Sequence, residues 1–163
     1  MAATIPGLST LGITLSYGVE TVKGQKPTTF TKLERCNDIP EITLETETID
    51  ASALEDMQSR YVSGRQDTGG EWAPVFNLTD EVITQLDTMM KAADTGLKSG
   101  FRTWFQVIVP NLTKSFFVVG QPGTKVPLPA MAQNELLTGS ISISIDEYIG
   151  LSEKVEPAGA GES

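Results

Sequence analysis

The sequence contains no histidine, a single cysteine and no long apolar run. Without histidine the chain cannot form a Ser-His-Asp or Cys-His nucleophile system, an HExxH zinc site or an imidazole general base. A single cysteine excludes an internal disulfide and cysteine-based zinc or iron–sulfur sites, so Cys36 is predicted to be a core or half-buried residue. The longest apolar run, Phe116–Val119, has four residues, far short of the roughly 18 of a membrane helix. The N-terminus lacks the basic and apolar regions of a secretory signal, so we expect a soluble protein that is not exported through a signal peptide.

Acidic residues outnumber basic ones, with 21 Asp and Glu against 12 Lys and Arg and a net charge of −9. Proteins that bind the nucleic-acid backbone need clustered Lys and Arg, so the composition argues against that function. Much of the excess lies in residues 34–56, where eight carboxylates accompany Arg35 alone. A second acidic stretch begins at Asp146. A solvated acidic face is one interpretation of both stretches.

Short β-branched or aromatic runs between Gly, Pro and Asn residues predict one mainly β (α+β) domain. We expect an antiparallel β-sandwich or barrel with one flanking α-helix and a long irregular loop. Strands are predicted near residues 10–17, 28–35, 40–47, 72–78, 102–109, 114–120 and 138–147. Apolar and polar residues alternate in 41–47, with Ile42 and Leu44 inward, and again in 140–146. This alternation indicates that one face of each strand lies on the core.

Two further elements are indicated by local sequence. Residues 104–109 and 115–119 predict a hairpin that is apolar on both faces. Because the chain is too small to cover all of this apolar surface, we expect a partner to cover the rest. Thr79 can cap a helix with one apolar stripe, and Gly96 is predicted to end it.

Three segments are predicted to be irregular. Residues 48–72 form a connector loop longer than compact domains ordinarily need. Residues 121–133 hold three prolines and are expected to form an extended loop. Residues 150–163 are expected to form a flexible acidic C-terminal tail, which places the domain at residues 1–149.

Catalysis is the less favoured of two function classes. The carboxylates of Glu45 and Glu47 share one predicted strand face and in principle suit glycoside hydrolysis. The sequence shows neither an aromatic cleft pattern nor a basic partner for them. Turnover that disappears in Glu45→Gln or Glu47→Gln would identify such a hydrolase. We expect no enzyme, cofactor or metal, and the composition favours a structural building block.

Several segments resemble the major tail tube protein of long-tailed, siphovirus-type bacteriophages. These segments are Asp38–Glu45, Ile49–Asp56, Tyr61–Arg65, Gly69–Trp72 and Asn134–Ser140. The order of elements is also similar: a strand at 72–78, a helix at 79–96 and a Val-Pro-Asn turn at 109–111. The resemblance covers about residues 10–148, and the wider superfamily includes contractile-tail tubes and the ring-forming protein of type VI secretion.

The resemblance implies a structural virion protein. Its subunits would form hexameric rings that stack head to tail into a hollow tube around a tape-measure protein, with tail-tip and tail-terminator proteins as further partners. DNA would pass through the lumen without specific binding, no membrane would be involved, and the phage tail would be assembled in the host bacterial cytoplasm. Alternatives are the inner tube of a contractile tail or injection system, and a tail-terminator or connector protein.

This resemblance and the polar strand faces together predict two surfaces. A lumen wall of hydroxyl and carboxylate groups would repel DNA and let it slide; exposure to bulk solvent is the alternative for these residues. The predicted wall comprises Thr43, Glu45, Glu47, Ser140, Ser142 and Ser144. The 48–72 segment is predicted to dock on the next ring and to be mobile until it does. Its predicted contact residues are Leu54, Met57, Arg60, Tyr61 and Arg65.

Overall fold

The computed structural model describes Gly7 and residues 11–157. Residues 1–6, 8–10 and 158–163 lie outside the described residues, and with them the first residue of the strand predicted at 10–17 and the end of the predicted tail. The described chain is mostly β, with a curled antiparallel sheet and one helix, which confirms the predicted fold class.

The described residues form strands that belong to three separate sheets. The elements are β1 (Thr14–Val19), β2 (Thr31–Leu33), β3 (Cys36–Asp38), β4 (Glu45–Asp50), β5 (Tyr61–Asp67), β6 (Glu71–Trp72), β7 (Val75–Asn77), α1 (Asp80–Lys98), β8 (Thr103–Ile108), β9 (Lys114–Pro122), β10 (Thr138–Ser140) and β11 (Ile143–Glu153). The large sheet has the order β2-β1-β8-β9-β11-β6, the small sheet has the order β10-β7-β3, and β4 pairs with β5 alone. All these pairings are antiparallel.

The main core lies between one face of the large sheet and a layer made of α1 and the small sheet. Leu15 and Phe105 come from the large sheet, Phe76 from the small sheet and Met89 from the helix, and all four are fully buried. The layers are held by the burial of these side chains, which is the largest favourable contribution to folding.

The helix begins as predicted but ends later. The Thr79 hydroxyl accepts a hydrogen bond from the Val82 N–H at 3.3 Å. The prediction that Gly96 ends the helix is wrong, because α1 continues to Lys98. Gly96 is buried inside the helix, and a Cβ there would lie 2.6 Å from Val19 Cγ1. This glycine therefore lets the last turn approach β1, and Gly100, at φ 83°, provides the left-handed residue beyond the end.

The β8–β9 hairpin is apolar on both faces, as predicted, and the chain itself covers most of both faces. One face joins the main core, and on the other Trp104 and Phe117 pack with Phe30 in a second buried cluster. Half-buried Ile149 and Val155 lie against that cluster. The loop before β2 and the C-terminal residues cover that second face, but Val107 and Phe116 on the first face stay only half-buried. The expectation that a partner covers the rest of this hairpin stays a prediction.

The C-terminal residues up to 157 pack on the body. β11 continues to Glu153, which pairs with Lys114 of β9, so the predicted flexible tail is wrong for residues 150–153. Beyond the strand, the Gln106 side chain donates to the Val155 carbonyl at 2.7 Å and accepts from the Val155 N–H at 3.0 Å. This amide binds the chain as a neighbouring strand would.

The segment predicted as the strand 40–47 is mostly irregular, and its strand begins only at Glu45. Ile42 packs on the main core as predicted. Leu44 is exposed, which contradicts its predicted inward position, because the chain leaves the body there to enter β4. The strand predicted at 138–147 is interrupted between β10 and β11, but its alternation is confirmed, since Ile141 and Ile143 are buried.

The 48–72 segment is not an irregular loop. Most of it belongs to an antiparallel hairpin in which β4 pairs with β5. Glu45 stands opposite Asp67 at one end of the pairing, and Asp50 stands opposite Tyr61 at the other. The next residues, Glu71 and Trp72, form β6 at the edge of the large sheet. The prediction failed because the hairpin buries no apolar face, and so its sequence carries no periodicity of burial.

Candidate assembly surfaces

The β4–β5 hairpin is the sheet of the described chain that lies outside the layered body. All residues of β4 are exposed, and in β5 only Gly64 is partly covered. Added atoms at Gly64 would meet Glu47 and Ile49 at 3.3–3.4 Å. The two strands satisfy each other's backbone groups. The hairpin is therefore regular although it covers none of the core.

The tip of the hairpin, residues 51–60, is closed by hydrogen bonds between its two sides. The Arg60 N–H donates to the Ser52 hydroxyl at 2.8 Å. The Asp56 carboxylate accepts from the Ala53 N–H at 2.8 Å and from Arg60 Nε at 3.2 Å. These bonds give the tip a defined shape without any apolar packing.

Large apolar side chains are exposed together on this hairpin. Leu54 and Met57, at the tip, have relative exposures of 108% and 101%, so neither is covered by the chain. Tyr61, Val62 and Ile49 are each more than half exposed, and Ile49 faces Val62 across the strands. Single exposed apolar residues are ordinary, but a group of them on a projecting element is typical of an interaction surface.

The residues predicted to contact a neighbouring ring all lie on this hairpin. They are Leu54, Met57, Arg60, Tyr61 and Arg65. The first three occupy the tip, whereas Tyr61 begins β5 and Arg65 lies further along it. Their role in stacking, and the mobility of the segment before stacking, stay predictions.

The residues predicted to line a lumen are exposed but lie on different elements. They are Thr43, Glu45, Glu47, Ser140, Ser142 and Ser144. The two carboxylates are on the hairpin, Ser140 is on the small sheet, and Ser144 is on the large sheet. The Ser142 hydroxyl donates to the Glu71 carboxylate at 2.7 Å. The luminal role of both groups stays a prediction.

The carboxylates considered for hydrolysis, Glu45 and Glu47, lie along an open groove on the hairpin, with Arg65 and Asp67 beside them. Glu45 stands directly opposite Asp67 across the strands, so two like charges face each other in solvent. A two-stranded ribbon walls this groove, and both carboxylate-bearing residues are exposed.

A charge cluster that sequence reasoning missed is centred on the buried carboxylate of Glu20 and reaches the exposed side chains of Asp146 and Glu147. Glu20, 3% exposed, follows β1 and accepts hydrogen bonds from the Trp104 indole at 2.8 Å and from the Arg102 N–H at 2.9 Å. The Arg102 guanidinium lies 3.4 Å from Glu20, 3.0 Å from Asp146 and 3.2 Å from Glu147. The bonded partners are 44 to 84 positions apart in sequence, so no local motif could reveal the cluster.

The Glu20 carboxylate stays ionised although it is buried. Burial alone would raise its pKa, but hydrogen bonds from the Arg102 backbone and the Trp104 indole, together with the Arg102 charge, outweigh that cost and lower the pKa below its ordinary value. Each acidic member of the cluster has a cationic partner, which is typical of a structural ion network.

Cys36 is half-buried, as predicted. Burial raises the pKa of its thiol to about 11, so the thiol is protonated near neutral pH and is a poor nucleophile. Among residues 7 and 11–157, no three His, Cys, Asp or Glu side chains are grouped as a metal site would require. The helix in this part of the chain is not one that could span a membrane.

Neither a family model nor a curated protein matches the sequence. Among solved structures, a chain of the anti-feeding prophage baseplate, determined by cryo-EM and 6-fold symmetrised, is similar to this chain. The two chains share 11% sequence identity with a TM-score of 0.43, and the similarity covers 90% of this chain and 95% of the other.

Proposed function

We propose that this protein is a structural virion protein whose copies assemble as stacked hexameric rings into a hollow phage tail tube that delivers DNA. The observation that carries the proposal is the β4–β5 hairpin, an ordered projection with exposed apolar residues that covers none of its own core. Such a surface is suited to a protein partner. The resemblance of Ile49–Asp56 and Tyr61–Arg65 to tail tube proteins falls on this same element.

A second surface suited to self-association is the outer edge of β11. β6 pairs with β11 at Ile143 and Ser144, and the Ile145 N–H donates to the Gly70 carbonyl at 2.9 Å. Beyond Ile145, no strand of the described chain pairs with that edge. Unpaired strand edges are templates for pairing with another chain. The edge and the hairpin are different surfaces, so they support heterologous contacts, one that closes a ring and one that repeats along an axis.

The charge of the chain supports passage of DNA rather than its retention. At −9, the subunit lacks the excess of Lys and Arg that holds nucleic acid by release of counterions. We assign the hydroxyl and carboxylate residues named above, among them Glu45 and Glu47, to the lumen wall. A structure of the assembled tube that places Glu45 and Glu47 on its outer wall would refute this assignment.

Electron microscopy of the concentrated protein, alone and with its tape-measure and tail-tip partners, tests the proposal. We expect sixfold rings stacked into hollow tubes. Closed rings that never stack would favour a terminator or connector protein instead. A chain that stays monomeric even with those partners would contradict the proposal. The proposal includes no catalytic role, so turnover lost in Glu45→Gln or Glu47→Gln would also contradict it.

A further inference from the structure

An apolar groove of about 300 Å³ lies at the base of the β4–β5 hairpin. One wall is the irregular segment 39–42, which the Trp72 indole holds by donating to the Pro40 carbonyl at 2.7 Å. The opposite side is formed by Val107, Phe116 and Tyr148, from β8, β9 and β11. The groove is thus built from side chains that the fold fixes in place.

The chemistry of the groove favours an apolar side chain as its occupant. Ligand pockets for small molecules usually add several polar groups that orient the ligand, and they start at about 300 Å³. Here the indole N–H of Trp72 already binds Pro40. The one charged lining residue, Glu41, is exposed at the rim. Such a groove fits one or two aliphatic side chains with a cation beside them.

We propose that this groove receives the hairpin tip of a second copy of the chain, with Leu54 and Met57 as anchors. These are the most exposed apolar side chains of the described residues, and the hydrogen-bonded tip presents them at little further cost in conformational entropy. The inference rests on the proposed self-assembly and names the receiving surface.

Charge complementarity supports a second copy as the partner. Arg60, at the tip, engages Asp56 through Nε, which leaves its terminal N–H groups available to the rim carboxylate of the receiving copy, Glu41. The tip also carries Glu55 and Asp56, but the Asp56 side chain is largely covered and already paired with Arg60. The exposed Arg60 guanidinium is therefore the group of the tip that can offset the acidic rim of the receiving copy.

The tip cannot enter the groove of its own chain. The groove lies next to the base of the hairpin, because Ile42 precedes β4 and Trp72 follows β5. The six residues of β4, at about 3.3 Å each, place the tip about 20 Å from that base. The backbone pairing of β4 with β5, from the pair Glu45 and Asp67 to the pair Asp50 and Tyr61, prevents the hairpin from folding back onto its own groove. The contact therefore joins two copies, and in the proposed stacked assembly it is heterologous and repeats from copy to copy.

Disulfide trapping tests the contact directly. In a Cys36→Ser background, the full-length double variant Met57→Cys, Glu41→Cys should form a ladder of covalent oligomers on oxidation. The matched control is the double variant Met57→Cys, Val22→Cys. Val22 is exposed and follows the end of β1 that lies away from the groove. The control should stay at least about tenfold less cross-linked. Equal cross-linking in both variants, or none in either, would overturn the proposal.

A second measurement separates this inference from the proposed function. Leu54→Ser with Met57→Ser should raise the concentration needed for assembly by at least about tenfold, as loss of central anchors does, with circular dichroism unchanged. Normal tubes from this variant would overturn the groove contact and leave the tube proposal standing. A wild-type chain that forms neither rings nor tubes would overturn both. Tubes that need a different tail protein in the groove would overturn the second copy as its occupant.

Discussion

The layered body and the β4–β5 hairpin place similar residues in opposite environments. In the body, Phe105 and Phe117 are fully buried between packed layers. In the hairpin, Leu54 and Met57 are fully exposed, and order comes from ladder hydrogen bonds and the polar bonds of the tip. The comparison indicates that the body sets the stability of the subunit, whereas the hairpin is free to serve contacts between copies.

Truncation of an apolar side chain is expected to give the largest difference in stability loss between the body and the hairpin. Phe105→Ala should lower the free energy of unfolding by about 3–5 kcal/mol, because it opens a cavity in the main core where Phe105 packs edge-to-face on Trp72. The matched variant Ile49→Ala, on the hairpin, should change it by less than about 0.5 kcal/mol. Urea unfolding of the monomer measures both. Similar losses would show that the hairpin is part of the core.

An intermediate effect is expected where the C-terminal residues dock on the body. Gln106→Ala removes both partners of the Val155 backbone and should cost about 1–3 kcal/mol. Limited proteolysis should then cut residues 154–157 faster than in the wild type. Gln66→Ala, an exposed glutamine of β5, is the control and should change neither stability nor cleavage. Unchanged protection of the C-terminal residues in Gln106→Ala would show that apolar contacts of Val155 alone hold them.

The body was more predictable from sequence than the hairpin for a physical reason. The helix carries a cap at Thr79 and a stripe of buried residues, and 140–146 alternates, so local patterns report burial. In β4 the alternation is between Glu and Thr, both of which face solvent, and pairing with β5 depends on backbone bonds that side-chain patterns do not encode. The docking of Val155 depends on Gln106, 49 residues away, and Glu20 is bonded to Arg102 and Trp104, which are 82 and 84 residues away.

The acid response should also distinguish the two regions. The pKa of Glu20 is lowered in the folded state, so its contribution to stability is complete above the unfolded value of about 4.3 and is lost as pH falls through the lower folded value. Glu20→Gln should therefore flatten the dependence of the unfolding free energy on pH below about 4.3. The measurement is the unfolding free energy of the wild type and of Glu20→Gln across a pH series, and the difference between the two is compared.

Asp50 provides the matched control for that experiment. Hydrogen bonds from the Ser52 hydroxyl and backbone also lower the pKa of Asp50, but its carboxylate is on the exposed hairpin. Asp50→Asn should flatten the acid limb of the stability curve less than Glu20→Gln does, because the bonds to Asp50 come from Ser52, two residues along the chain, and solvent screens its exposed carboxylate. If Asp50→Asn flattened the curve as much as Glu20→Gln, the separation of hairpin and body would be wrong.

The smallest global effect is expected from breaking the tip itself. Asp56→Ala removes the acceptor for the Ala53 N–H and for Arg60 Nε. It should nevertheless lower the free energy of unfolding by less than about 1 kcal/mol, because the tip covers none of the core and an ion pair with an exposed guanidinium contributes little. Native-state hydrogen exchange should show faster exchange confined to residues 53–60, since the tip can open while the body stays folded. Asp87→Ala, which removes the exposed pair with Lys91 on α1, should leave the tip unchanged. Faster exchange that spread from the Asp56→Ala tip into β8 or β9 would mean that the hairpin and the body unfold as one unit, and the stability of the subunit would then depend on the same residues as its assembly.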